Sequence, residues 1–157
     1  MTETQDYYTF SEAAADALYL PKSHFLSNAV LSLFYKSIIA GTWVHAPMAM
    51  QVLYLLTSNA PPAQNDEIEY YLFAQEGEKT LSILGSKALN SGIATVYLDD
   101  IIQGTFDGYG PGVTLNIFFT LPVTVVNTKT HSLKLKMATK NASSSGYKLS
   151  LTALWIK

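Results

Sequence analysis

Apolar and polar residues alternate with a period of two through the last third of the chain. Leu133, Leu135 and Met137 fall on one face of an extended segment and Lys134 and Lys136 on the other. That is the spacing of a half-buried strand; a helix would scatter the lysines around its surface. Residues 141–146 are all small or turn-favouring, so the chain reverses there, and the flanking segments read as a closing hairpin. On the returning strand Tyr147, Leu149, Leu151, Ala153 and Trp155 share one face, which leaves Leu154 and Ile156 on the other. A lone monomer would expose that second face. Apolar residues there predict cover on both sides, with Tyr147, Leu154, Trp155 and Ile156 as a candidate oligomer interface.

The same alternation recurs upstream. Ile68, Tyr70 and Leu72 oppose Glu67, Glu69 and Tyr71, and a turn at residues 75–78 leads to a strand carrying Leu81 and Ile83, so the two read as a hairpin. In Gly92–Leu98 both alternating sets, Ile93, Thr95, Tyr97 and Ala94, Val96, Leu98, read as buried. Asp99-Asp100 makes a tight turn into Ile101–Phe106, the glycine-rich run Asp107–Gly112 is a loop, and Val113–Leu121 is a further apolar strand. Trp43–Thr57 reads as one long strand, edge or bent, because Pro47 cannot donate to a central ladder. Residues 1–40 differ: Ser11–Leu20 is alanine-rich with a serine to cap a short helix and Pro21 to stop it, and Asn28–Ile39 fits a helical turn or a strand. The expected organisation is an N-terminal arm over 1–40 and one domain over 41–157. About eight strands at a spacing near ten residues, with no helix between them, predict an all-β fold: an antiparallel β-sandwich of jelly-roll type.

Composition narrows the function. The chain has 157 residues, enough for one domain with a real core, and it is 48% hydrophobic and only 14% charged. It has no cysteine, which removes disulfides, thiol catalysis and cysteine-ligated zinc. All ten basic residues are lysine and the formal net charge is -2; without arginine the bidentate donors of phosphate and nucleic-acid readers are missing, so no nucleic-acid partner is expected. The acidic start is followed by no apolar segment of signal-peptide type, and no uncharged apolar run reaches the roughly 18 residues of a membrane span. Neither export nor a membrane partner is expected.

Candidate chemistry is sparse. His24, His45 and His131 have no neighbours at metal-ligand spacing, Ser143, Ser144 and Ser145 lack a nucleophile elbow, and Gly108, Gly110 and Gly112 are interrupted by Pro111 with no Lys-Ser/Thr after them. No catalytic residue, cofactor or metal is expected, and the chain does not read as an enzyme. Asp66, Glu67, Glu69, Asp99, Asp100 and Asp107 could serve hydrolysis only if two of them met across a cleft about 5 to 10 Å wide. They also offer hard oxygen ligands for Ca²⁺, without EF-hand spacing. The more serious alternative is sugar binding: Tyr109 in its glycine-rich loop beside Asp107, together with Tyr71, Tyr147 and Trp155, could stack on sugar rings, since an aromatic face with neighbouring Asp, Asn or Lys groups is the usual carbohydrate platform.

Three stretches, Asn65-Asp-Glu-Ile68, Gly92–Ile101 followed by Gly104-Thr-Phe-Asp107, and His131–Lys136 with Lys140–Tyr147, resemble a jelly-roll domain family of tailed-phage virion proteins, found in capsid decorations, head fibres and tail fibres. The resemblance covers roughly residues 41–157. It implies a homotrimeric decoration or cement protein on the virion surface, assembled in the host cytoplasm and partnered by the major capsid protein or another virion protein. The alternative it carries is a fibre or tail module that binds a host-surface glycan through Asp107 and Tyr109.

Overall fold

The computed structural model describes residues 29–31, 36–46, 55–59 and 62–157. The expected helix over residues 11–20 lies outside them. The described residues form eleven strands: β1 (Ala29–Leu31), β2 (Ser37–Ala40), β3 (Thr42–Ala46), β4 (Leu55–Asn59), β5 (Glu67–Ala74), β6 (Gly77–Lys87), β7 (Ile93–Leu98), β8 (Ile101–Asp107), β9 (Thr114–Val125), β10 (Lys129–Thr139) and β11 (Ser150–Ile156). They build two antiparallel sheets. One has the order β3-β4-β11-β6-β9, with β1 also paired to β11; the other runs β2-β5-β10-β7-β8. The expected all-β sandwich is the observed fold.

The core lies between the sheets and is built by the alternating residues. Ile68, Tyr70, Leu72, Leu133, Leu135 and Met137 from one sheet meet Leu81, Ile83, Leu151, Leu154 and Ile156 from the other, all nearly inaccessible to solvent. Lys134 and Lys136 project outward, where Lys134 pairs with Asp100 and Lys136 with Glu67.

Several neighbours in sequence are not neighbours in a sheet. β5 pairs with β2 and β10, whereas β6 pairs with β9 and β11, so the turn at residues 75–76 carries the chain from one sheet to the other and is no hairpin. The expected closing hairpin is corrected in the same way, since β10 and β11 lie in opposite sheets. Alternation reports which face is buried but not which strand lies alongside. The long strand expected over 43–57 is instead two strands paired with each other, with Thr42 opposite Asn59 and Ala46 opposite Leu55. β7 and β8 do form a tight hairpin: Asp99 and Asp100 both have positive φ (48° and 67°), the backbone of a two-residue turn of the primed kind that matches strand twist. Two strands come from the segment assigned to the arm, β1 against β11 and β2 against β5.

The last strand carries a further correction. Its pairing with β6 shifts register between Leu151 and Ala153, a bulge that inserts a residue and reverses the facing of everything after it. Leu151, Leu154 and Ile156 therefore all point into the core, and Ala153 and Trp155 turn outward and stay half-buried. Leu154 and Ile156 are covered by their own chain. The argument from apolar residues on both faces to a neighbouring subunit loses its premise.

Candidate functional site

Four connections gather at one end of the sandwich: the segment before β5, β6–β7, β8–β9 and β10–β11. The last three are knitted by main-chain hydrogen bonds. Ala88 N–H donates to Gly108 O (3.0 Å), Gly108 N–H to Gly92 O (2.9 Å), Gly92 N–H to Lys148 O (3.0 Å) and Lys148 N–H to Asn90 O (2.9 Å). Two parallel bridges, Ala88 with Tyr109 and Ser91 with Lys148, continue the network. Close approach is what small residues provide here. A Cβ on Gly108 would lie 3.0 Å from the Ser91 Cβ and 3.2 Å from Gly92 O, and one on Gly92 would strike Met137 Sδ. The buried Ser144 hydroxyl ties the serine turn down, donating to Ser91 O at 2.7 Å.

Asp107 and Tyr109 stand at the centre of this surface. The Asp107 carboxylate accepts from Tyr109 N–H through Oδ1 (2.8 Å) and from Asn141 Nδ2 through Oδ2 (2.9 Å), so one side chain joins the β8–β9 and β10–β11 loops. Asn141 in turn accepts from Ser143 N–H through Oδ1 (3.0 Å). Tyr109 is partly exposed, and Tyr147, also partly exposed, rests on the core with Lys140 Nζ 5.4 Å from its ring centroid. The end of the sandwich thus presents two partly exposed tyrosines, an amide and a carboxylate already oriented by hydrogen bonds.

The opposite end is a clasp. Asp99 Oδ1 accepts from Ser132 N–H (2.9 Å), and its Oδ2 lies 2.9 Å from His131 Nδ1 and 3.0 Å from Lys129 Nζ. His131, buried, reaches the Asn127 carbonyl with Nε2 at 2.9 Å, so it joins the β7–β8 and β9–β10 turns. Burial alone would raise the Asp99 carboxyl; the bonds from Ser132, His131 and Lys129 outweigh it and hold the group below the ordinary carboxylate range. Glu69 follows the same logic on the outer face of the second sheet. Burial pushes it up, and bonds from Ser132 Oγ (2.6 Å), Lys36 Nζ (3.0 Å) and Ser37 Oγ (3.0 Å) bring it down. Asp99 lies two residues before β8 and Asp107 is its last residue, a separation of about 20 Å at the usual rise, so they cannot act on one glycosidic bond. Among the described residues no group of three or more His, Asp and Glu side chains could hold a metal ion.

No protein-family model matches the chain, and no curated protein matches it. Solved structures do. A domain of a Paenibacillus xanthan lyase superposes with a TM-score of 0.69 at 25% identity, over 82% of this chain but only 13% of that one. A family 6 carbohydrate-binding module from Clostridium cellulolyticum, solved with xylose, matches with a TM-score of 0.58 at 12% identity, over 84% of this chain and 98% of the module. A family 36 carbohydrate-binding module, solved with calcium and xylotriose, matches at 0.55 and 10% identity, over 82% and 98%. The fold is similar to that of carbohydrate-binding modules. The chain spans about an eighth of the lyase, so the likeness there is to one domain of a larger protein.

Of the residues singled out from sequence, Asp107 and Tyr109 lie in one hydrogen-bonded loop, whereas Tyr147, Leu154, Trp155 and Ile156 divide between the loop end, the core and the outer face of the first sheet. On that outer face Trp155 stacks edge-on with Phe118, ring centroids 5.5 Å apart. Asn141 escaped sequence reasoning as a site residue because its partner is 34 positions away. Lys87 and Lys140 escaped for the same reason: only the fold brings three separate loops together.

Proposed function

We propose that this chain is a non-catalytic glycan-binding module that takes a sugar at the loop end of the sandwich. The observation that carries the proposal is the Asp107–Asn141–Tyr109 arrangement: two loops from different sheet connections locked together, with a partly exposed tyrosine beside hydrogen-bonding groups. Such a surface suits a sugar ring, whose apolar face rests on an aromatic side chain while its hydroxyls meet fixed donors and acceptors. The fold shared with carbohydrate-binding modules supports this reading over capsid decoration. Tyr109 supplies the stacking face and Asn141 the directional bonds, with Asp107 as the group that positions both.

Affinity electrophoresis of the purified chain through gels containing a panel of soluble plant and bacterial polysaccharides tests it. At least one polysaccharide should retard the protein, and Tyr109→Ala should weaken that binding by about tenfold or more, as truncating an aromatic anchor commonly does. Retardation unchanged in Tyr109→Ala would move the site elsewhere.

A further inference from the structure

The loop end differs from the rest of the molecule in charge. The segments 62–66, 87–92, 107–113 and 140–148 contain Lys87, Lys140 and Lys148 against two carboxylates, the buried Asp66 and Asp107, a local sum of +1 on a chain whose formal net charge is -2. Lys36, Lys129, Lys134 and Lys136 each lie within 4.0 Å of an aspartate or glutamate, in pairs on the outer face or at the clasp. Lys87, Lys140 and Lys148 have no such partner among the described residues, nor do Lys79 and Lys157, which lie at the other end. Asp107 offsets one of the charges at the loop end, but its two oxygens already accept from Tyr109 N–H and Asn141 and it forms no ion pair with any of the three lysines there. Two of the three ammonium groups sit over aromatic rings instead: Lys140 over Tyr147 at 5.4 Å and Lys87 over Phe119 at 5.7 Å. All three side chains are partly buried, so each stem is packed while its charge remains unanswered.

We infer that the glycan taken at this end is acidic: a polysaccharide bearing carboxylates, such as a polyuronate, with Lys140 and its neighbours Lys87 and Lys148 meeting the carboxylates and the tyrosines meeting the sugar faces. This inference rests on the glycan-binding reading above and names the ligand's chemical class. The pairing of an ammonium with an aromatic ring fits one uronate residue, which has an apolar ring face and an anionic group on the same unit. Recognition is by lysine and needs no bridging cation. Attraction between partly exposed charges is screened by salt, so affinity falls as ionic strength rises.

The experiment uses the full chain with two probes, polygalacturonate and an uncharged β-glucan, in gels at about 20 mM and about 500 mM NaCl, between which the screening length falls from roughly 20 Å to roughly 4 Å. The variants are Lys87→Gln/Lys140→Gln/Lys148→Gln, Lys140→Gln alone in case the triple variant does not fold, and Lys79→Gln/Lys157→Gln, which removes charge at the opposite end. Polygalacturonate should bind more tightly than the glucan and weaken by about tenfold or more in high salt and in the triple variant, by about threefold in Lys140→Gln, and not in the distal pair. Equal loss in the distal pair would reduce the attraction to nonspecific charge and overturn the inference. Binding of the glucan as tight as that of polygalacturonate, unmoved by the triple variant, would overturn the acidic ligand and leave a glycan-binding module. Binding of neither polymer, nor of any polysaccharide in the broader panel, would remove the glycan reading itself.

Discussion

Asp99 and Asp107 show how the same residue type acquires different tasks from its place in the fold. Each closes one end of β8 and accepts backbone and side-chain hydrogen bonds, but Asp99 is gripped by His131 and Lys129, whereas Asp107 faces an amide and a backbone N–H in the loop surface. Asp99→Ala should lower the unfolding free energy by about 1 to 3 kcal/mol, the usual consequence of leaving buried donors without their acceptor, as read from urea unfolding at neutral pH. Asp99 and Glu69 both have folded-state pKa values held below their unfolded ones. Their contribution is therefore complete above the ordinary carboxylate range, near pH 4, and is lost as pH falls through the lower folded values. The urea midpoint of the parent protein should drop steadily below about pH 4, and Asp99→Asn should show a shallower fall over that range. An identical acid profile in the variant would exclude Asp99 as a source of the dependence.

Within a strand, the period of two makes contrasting predictions for adjacent residues. Leu135 is fully buried in the centre of its sheet, and Leu135→Ala should cost about 2 to 5 kcal/mol; Lys136→Ala, one position on and facing solvent, should cost less than about 1 kcal/mol. The bulge in β11 is tested in the same way. An uninterrupted alternation from Leu149 would bury Trp155 and expose Leu154, but the observed register does the reverse. Leu154→Ala should therefore destabilise by about 2 to 5 kcal/mol in chemical denaturation, while Ala153→Ser should cost less than about 1 kcal/mol. Comparable losses in both would contradict the shift in register.

Taken as a whole molecule, the sandwich places structural work and candidate binding at opposite ends. The clasp end joins its turns through His131 and Asp99, and the loop end combines a hydrogen-bonded scaffold with partly exposed rings and unpaired lysines. Within the first forty residues, β1 and β2 contribute to the fold as well. Removing those forty residues strips β1 from β11 and β2 from β5, and takes Lys36 and Ser37 away from the Glu69 carboxylate. A chain starting at Gly41 should melt several degrees lower than the full protein by circular dichroism, since about 1 to 2 kcal/mol moves the midpoint by that much in a domain of this size. Local alternation was enough to identify the all-β class, the burial of Leu133, Leu135 and Met137, the outward lysines and the Asp99-Asp100 turn, because each depends on side-chain direction or turn geometry over a few residues. Asp107 and Tyr109 were also legible as a loop pair, two positions apart. Which strands pair, where β11 bulges, and that Asn141, Lys87 and Lys140 join the same surface depend on contacts between residues tens of positions apart. A period of two is the same for a strand beside its sequence neighbour and for one across the core, so only the packing of the two sheets could decide between them.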